Sequence, residues 1–398
     1  MISEIRARHY KSFGESTIIP LRPITIFIGK NNSGKTAAAR LPLLLQAAFA
    51  SDSRPGRSPI PLSSGSIDFG GSLRELFHKG VTHGHLELGA SIKRHYGGHE
   101  SVDFAIQLLQ TLAIRETGIL SKWDSSKLER PITWDRKKSS GTSLKYDDDA
   151  AKFSGVWPTL SDRRNTIVTA LRENFQTAFR PLIHLGSLRR PVQTVYETKE
   201  WDLRRDHDGS TAPYLLNDDP DLLHEVSVWY EKYLDGPSLT MGIDADVFRI
   251  LLGSHGTNLA RAGQGLQQVL PVVTLLKGMK SGAVPWGTAA VFEEPELHLH
   301  PSVHGDLTDL AIDAVNGNRG NQVIIETHSE NLILRLRRRI AEGVFDSSMA
   351  NIIWFDSRNG QSTAQEIEIR PDGSVDFWPA GIFSEDLQEV LAIQRGKN

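Results

Sequence analysis

Residues Gly29-Lys30-Asn31-Asn32-Ser33-Gly34-Lys35-Thr36 fit the pattern G-x-x-x-x-G-K-[ST] at every fixed position. Average composition gives a chance match in a chain this long odds of roughly one or two in a hundred. Gly29 and Gly34 let successive backbone N–H groups curl around a polyphosphate without side-chain clash. The cradle expected from the pattern runs from Gly29 through Asn31, Asn32, Ser33, Gly34, Lys35 and Thr36 to Ala37. A helix starting there adds unpaired donors and a positive dipole end. Lys35 can reach the β- and γ-phosphates, and the Thr36 hydroxyl can serve Mg²⁺.

Three further clusters carry chemistry. In AAVFEEPELHLHP (residues 289–301) an apolar strand delivers Glu293 and Glu294 at its carboxyl end, where open α/β sheets place ligands. Glu293 is expected to hold Mg²⁺ through its water shell and Glu294 to polarise an attacking water. Taken alone the pair also fits a solvated acidic turn, and His298 with His300 resembles an H-x-H metal pair that lacks an obvious third ligand. In NQVIIETHSENL (residues 321–332) His328 falls just past a strand end, placed to hydrogen-bond a γ-phosphate or the attacking water, with Ser329 as an alternative or simultaneous helix cap. In NLARAGQGLQQVLPVV (residues 258–273) Gly263, Gln264 and Gly265 open an amphipathic helix, a second N-terminus able to meet phosphate, although a plain structural loop fits the same glycines.

The elements around these clusters form a pattern. Ile24, Ile26 and Ile28 alternate along a strand before the glycine loop, and TAAARLPLLLQAAFA after it is helical, with Pro42 expected to kink it or end its first turns. Residues 51–72 are rich in Ser, Gly and Pro and read as a loop. HLELGASIKRH and SVDFAIQLL read as strands of a meander, and 115–160 as a partly irregular insertion. A helix follows over 161–179, then a strand at Leu182–Leu185 and a helix over 222–234. From 244 to 340 strand-like and helix-like segments alternate in the βαβαβα order of a parallel sheet covered by helices. The expected fold is α/β, a P-loop NTPase with a mixed or parallel core sheet and helical and antiparallel β insertions. The expected divisions are an N-terminal lobe over 1–114, an insertion over 115–180, a C-terminal lobe over 181–345 and a small domain over 346–398.

Composition narrows the class. The 398 residues contain no cysteine, which excludes a disulfide scaffold, a thiolate zinc site and a cysteine nucleophile. Lys+Arg 45 against Asp+Glu 48 argues against a globally basic nucleic-acid coat while allowing a local basic groove. No apolar run approaches the roughly 20 residues needed to cross a bilayer, and MISEIRARHY has no signal-peptide core, so a cytoplasmic location without a membrane partner is expected.

Taken in order, the clusters resemble the ATP-binding-cassette class of ATPases. More narrowly, HYKSFGESTIIPLRPITIFIGKNNSGKT, EEPELHLHP and ETHSENLILRLRRRIAEG are similar to the SMC/RecF-like and OLD-like AAA ATPases of prokaryotes. The tail IRPDGSVDFWPAGIFSEDLQEVL, with Trp378-Pro379 and Gly381-Ile382-Phe383, resembles the subset with a short C-terminal domain of unknown function. The resemblance covers roughly 1–110 and 180–398. It implies ATP and Mg²⁺ as cofactors and a nucleotide sandwiched between two subunits, head to tail. It makes the Gly263–Gly265 loop the signature motif that touches a partner's γ-phosphate, with Arg261 or Gln264 as the contact in place of LSGGQ. It makes the residues near His298–Pro301 the loop that crosses the dimer interface. A Glu at 293 departs from the usual Asp, and a glutamine-loop residue is to be sought between Asp68 and His78.

The implied activity is an ATPase switch: ATP closes a dimer or higher oligomer, hydrolysis opens it, and a separately encoded effector (a nuclease or toxin) or DNA reads the change, as in anti-phage modules. The alternative is a RecF/SMC-like DNA-binding ATPase of repair or recombination. A self-contained nuclease of the OLD type is disfavoured, because the 70 residues after His328 hold no D-x-D pair at a strand end. Arg335, Arg337, Arg338 and Arg339 fit either a phosphate-binding face or, as the preferred reading, a solvated helix face with ion pairs.

Overall fold

The structure, a computed structural model, describes residues 1–52, 58–65, 67–80, 84–94, 97–110, 116–139, 144–180, 182–203, 206–316 and 320–379. The chain opens with strands β1 (Ile2–Arg8), β2 (Thr17–Pro20) and β3 (Ile24–Gly29), then helix α1 (Lys35–Ala50). A short pair, β4 (Ser63–Ser64) and β5 (Ile67–Asp68), precedes β6 (His85–Lys93), β7 (His99–Gln110), β8 (Glu116–Ser125) and β9 (Ile132–Thr133). Next come β10 (Ala151–Ser154), β11 (Trp157–Leu160), α2 (Arg164–Phe179), β12 (Leu182–Leu185) and β13 (Tyr196–Glu197). The C-terminal half holds α3 (Ala212–Asp218), α4 (Pro220–Tyr233), β14 (Leu239–Asp244), β15 (Val247–Leu252), β16 (Thr257–Asn258) and α5 (Gln264–Ser281). It continues through β17 (Ala289–Glu293), α6 (Pro301–Asn316), β18 (Gln322–Glu326), α7 (Glu330–Ala341), β19 (Ala350–Arg358) and β20 (Gln361–Ile367).

Two six-stranded sheets organise these elements. The core sheet runs β12-β17-β18-β3-β19-β20, parallel except for the antiparallel edge strand β20. The other sheet is antiparallel, in the order β2-β1-β6-β7-β8-β9. β3, β17 and β18 are buried at every residue, as expected for parallel strands covered on both faces. Alternate side chains divide between two cores. Ile24, Ile26, Ile28, Phe292 and Ile325 face the helices α4 to α7, whereas Phe27, Val291, Ile324 and Phe355 face α1, α2 and the antiparallel sheet. Each such fully buried aliphatic or aromatic side chain contributes roughly 1.5–3 kcal/mol.

The structure departs from the expected divisions in two places. β8 pairs with β7 over nearly its whole length, so the start of the supposed 115–180 insertion extends the antiparallel sheet. β19 pairs in parallel with β3, so residues 350–367 complete the core sheet and do not form a separate C-terminal domain over 346–398. Trp378 packs against the helix-side core, and Gly381-Ile382-Phe383 lie outside the described residues. Helix α1 continues through Pro42, which is buried within it. A proline removes one backbone donor, and the buried face of α1 offsets that loss.

Candidate active site

β18 lies between β3 and β17, and all three run parallel, so their carboxyl ends form one rim. The loop Gly29–Thr36 leaves β3 at that rim and enters α1. Gly34 caps the helix at φ 98°, where a Cβ would come within 2.8 Å of the Ser12 and Ser362 hydroxyls, so glycine is required there. Asn32 also adopts a left-handed φ of 61°. The Lys35 ammonium folds back into the loop and donates to the Gly29 carbonyl at 2.8 Å and the Lys30 carbonyl at 2.9 Å. Burial lowers its affinity for the proton, and the charges of Glu326 and Glu294 oppose that. Lys35 therefore sits within electrostatic reach of both acids.

The carboxylate that meets Thr36 is Glu326, at the end of β18: the Thr36 hydroxyl donates to its Oε1 at 2.7 Å. Burial raises the Glu326 carboxyl to about 7, with the Thr36 hydrogen bond and Lys35 opposing and the charges of Glu293 and Glu294 adding to the rise. Its Oε2 is buried and has no hydrogen-bond partner among the described residues. Glu293, which the sequence assigns to the metal, is held elsewhere. Arg40 of α1 grips it with Nε to Oε1 at 2.6 Å and Nη2 to Oε2 at 2.8 Å, and His184 of β12 donates from Nε2 to Oε1 at 2.8 Å. Burial alone would raise the Glu293 carboxyl, but these hydrogen bonds and charges bring it down to about 2. The carboxylate in direct contact with Thr36 is thus Glu326, and Glu293 contacts Arg40 and His184. β18 separates β17 from β3, so its terminal acid is the one beside the loop.

Glu294 turns out of the strand at a left-handed φ of 46°. A non-glycine residue held there stores strain of order 1 kcal/mol, a pattern concentrated at functional sites. Its amide donates to the Glu326 carbonyl at 2.8 Å, which fixes the turn. Buried Arg189 braces the other side: its Nη2 donates to the carbonyls of Glu293 (3.1 Å) and Glu294 (2.6 Å), and its Nη1 to the carbonyl of Gln268 in α5 (3.2 Å). Gln268 returns a bond to the Arg189 carbonyl. Burial pulls the Arg189 guanidinium down to about 10, against the charges of Glu296, Glu294 and Glu293.

His328 follows β18, open to solvent on one side with its ring partly buried against the rim. Burial and the charge of Lys35 lower its basicity, with Glu294 opposing, so Lys35, Glu294 and His328 share one electrostatic neighbourhood. Buried Glu296 fixes this turn by accepting from the Thr327 hydroxyl at 2.6 Å and the His328 amide at 3.0 Å. Burial raises the Glu296 carboxyl against those bonds.

The structure therefore brings Lys35, Thr36, Glu294 and His328 to one rim. Gly263, Gln264 and Gly265 start α5, and among the described residues no hydrogen bond joins them to the loop Gly29–Thr36. Gly265 packs on the 298 loop, where a Cβ would stand 2.7 Å from the His298 carbonyl, whereas Gly263 borders open space. Among the described residues no group of three or more His, Asp and Glu side chains is arranged as a metal cluster, so His298 and His300 gain no third ligand of that kind. Arg335, Arg338 and Arg339 pair with Asp306, Asp309 and Glu342, and Arg337 donates to the Gly373 carbonyl, which matches the ion-paired helix face. No glutamine occurs between Asp68 and His78.

Sequence reasoning missed Arg40, His184, Arg189, Glu296 and Glu326. Only Glu296 and Glu326 carried a local signal, as acids inside the two motifs already singled out.

Residues 217–333 match the family model of the AAA ATPase domain, a stretch that contains Glu293, Glu294 and His328 but not the loop Gly29–Thr36. No curated protein matches the sequence. Among solved structures, an SMC head bound to the C-terminal winged-helix domain of ScpA superposes with a TM-score of 0.50 at 12% identity, covering 92% of this chain and 98% of that one. The SMC head domain of Thermotoga maritima gives a TM-score of 0.45 at 11% identity, covering 92% and 99%. The Pyrococcus furiosus Smc head with an extended coiled coil, bound to the C-terminal domain of ScpA, gives 0.49 at 11%, covering 99% of each. The fold is that of a P-loop ATPase of the SMC-head type. No described helix is long and apolar enough to cross a membrane.

Proposed function

We propose that the protein is a Mg²⁺-dependent ATPase that acts as a nucleotide-controlled switch. The observation that carries this reading is the convergence of Lys35, Thr36, Glu294 and His328 on the rim formed by β3, β17 and β18. ATP lies along the loop Gly29–Ala37, with the N–H groups of Asn31 to Thr36 and the Lys35 ammonium on its phosphates. The Thr36 hydroxyl and a carboxylate of the same rim would hold Mg²⁺, which would supply charge neutralisation for the phosphates. The donor set suits that ion: a hydroxyl, and a buried carboxylate with an oxygen left over among the described residues. Glu294 accepts a proton from the water that attacks the γ-phosphorus, the bond to the bridging oxygen breaks, and ADP departs with the electron pair. His328 hydrogen-bonds the γ-phosphate or that water.

The second half of the reading concerns assembly. Gly263, Gln264 and Gly265 open a helix at an exposed surface and make no bond to this chain's own loop, which suits a contact to the γ-phosphate held by another copy, head to tail. Closure of such a dimer is a population shift driven by ATP contacts in the closed form. A separately encoded effector, a nuclease or toxin in a phage-defence setting, or DNA would read that shift. The solved SMC head seated on a ScpA domain is a precedent for a partner protein on this fold. The expected location is the cytoplasm, and no membrane partner is proposed.

Phosphate release from ATP with Mg²⁺ tests the chemistry. Glu294→Gln should lower it at least ~100-fold while retaining ATP. Light scattering should show the mass of that variant doubling when ATP is added. Equal rates for the two proteins would refute the role of Glu294, and an unchanged mass would refute the dimer.

A further inference from the structure

Two carboxylates end neighbouring strands in register, Glu293 on β17 and Glu326 on β18. A P-loop metal needs one of them beside the Thr36 hydroxyl. We propose that Glu326 is the carboxylate that holds the nucleotide's Mg²⁺ together with Thr36, and that Arg40 and His184 keep Glu293 out of that role. This rests on the ATPase reading above and adds a metal ligand to it.

Three observations support the assignment. The Thr36 Oγ1 and Glu326 Oε1 stand 2.7 Å apart. Adjacent oxygens of a Mg²⁺ octahedron with bonds of 2.0–2.1 Å are about 2.9 Å apart, so the pair already has nearly the separation of two neighbouring ligands. Second, the other Glu326 oxygen is buried and lacks a donor among the described residues, in a side chain only 4% exposed. A buried acceptor with nothing to accept from calls for an ion or water at that place. Third, both oxygens of Glu293 are already engaged by positively charged or N–H donors. Oε1 already accepts from Arg40 Nε and His184 Nε2, and Oε2 from Arg40 Nη2. Freeing it for a cation would leave a guanidinium and a buried imidazole N–H without their acceptor, on a side chain itself only 3% exposed.

Strand order explains the exchange of roles. β18 lies directly beside the loop strand β3, and β17 is one strand further out, beside β12 and its His184. Glu326 therefore faces the first turn of α1 at Thr36, whereas Glu293 meets that helix one turn later, at Arg40.

The test uses the full chain, Mn²⁺ as the probe ion and a non-hydrolysable ATP analogue, with free Mn²⁺ followed by electron paramagnetic resonance. Nucleotide affinity is measured separately in EDTA with a fluorescent analogue. Glu326→Gln should weaken Mn²⁺ binding to the nucleotide complex at least ~10-fold, with metal-free nucleotide affinity within about threefold of the parent. Glu326→Asp, which keeps the charge but shortens the arm, should give an intermediate loss and guards against a folding defect in the amide variant. Glu293→Gln should leave Mn²⁺ affinity within about threefold. A larger loss of Mn²⁺ in Glu293→Gln than in either Glu326 variant, or unchanged affinity in both Glu326 variants, would overturn the assignment and leave the ATPase reading standing. Failure of the parent chain to bind nucleotide at all would overturn both.

Discussion

Removing Arg40 should expose how much of the rim is held by charge. In Arg40→Met the aliphatic stem survives and the guanidinium is lost, so Glu293 remains buried with His184 as its partner. Leaving one member of a buried pair unpaired costs about 3–5 kcal/mol. Here the Arg40 side chain is 36% exposed, which lets water reach the gap, and one of the three bonds to Glu293 remains. We therefore expect a loss of about 2–3 kcal/mol at pH 7. The pH dependence identifies the cause. The Glu293 carboxyl is held at about 2 in the folded chain against an ordinary 4.5. That difference is worth about 3 kcal/mol, at about 1.4 kcal/mol per pH unit. Because the folded value is the lower one, this stability is fully present above about 4.5 and is lost as the pH falls from there toward about 2. In Arg40→Met burial acts with less opposition, the folded carboxyl takes its proton at higher pH, and the variant does not share the parent's decline. The gap between the two proteins should narrow by at least ~1 kcal/mol between pH 7 and pH 3.5. Urea unfolding of both proteins at the two pH values measures it. A gap that does not change with pH would mean that Arg40 acts through packing, and a gap below about 0.5 kcal/mol at pH 7 would mean that solvent screens the pair.

Two further substitutions separate positioning from contact. Gly265→Ala should lower the unfolding free energy by about 1–3 kcal/mol, because its Cβ meets the His298 carbonyl, whereas Gly263→Ala, bordering open space, should stay within about 0.5 kcal/mol. Loss of ATP-driven dimerisation in Gly263→Ala, read by light scattering, would therefore report a contact to the partner and not a folding defect. Arg189→Met should cost about 3 kcal/mol, since two buried carbonyls and one part-buried one lose their shared donor, and should slow phosphate release at least ~10-fold through a misplaced Glu294. Nucleotide affinity should hold within about threefold, because Arg189 makes no bond to the loop Gly29–Thr36; a loss confined to affinity would contradict the bracing role.

What the sequence made legible was local. The loop Gly29–Thr36 announces itself because backbone curvature and a lysine must occur at fixed spacing, and the strands before Glu293 and Glu326 are apolar runs of the kind a doubly covered sheet demands. The strand Leu182–Leu185 and the start of α5 were readable for the same reason. The parts that escaped depend on which strands are neighbours. Arg40 meets Glu293 across 253 positions and His184 meets it across 109, and neither residue belongs to any short pattern. Strands β19 and β20 were missed because a strand pairing with β3 from more than 300 residues away looks, in sequence, like the start of a separate unit.

The assignment of the metal acid shows how one such unknown propagates. From sequence, Glu293 and Glu294 are consecutive acids after a strand, and giving the first to the metal and the second to water is the economical division. The sequence does not show which strand stands directly beside the loop strand. With β18 between β17 and β3, the acid on the intervening strand reaches Thr36 first, and the displaced Glu293 becomes a buried anion that must find a cation of its own. Arg40, one turn into α1, supplies it, and His184 adds a second donor on Oε1. Glu294 is untouched by the exchange, because its direction is set by a left-handed backbone, the Glu326 carbonyl and Arg189, none of which depends on what Glu293 binds through its side chain. On the proposed assignments the water-priming and the metal-holding carboxylates come from different strands, so a substitution that disturbs one need not disturb the other.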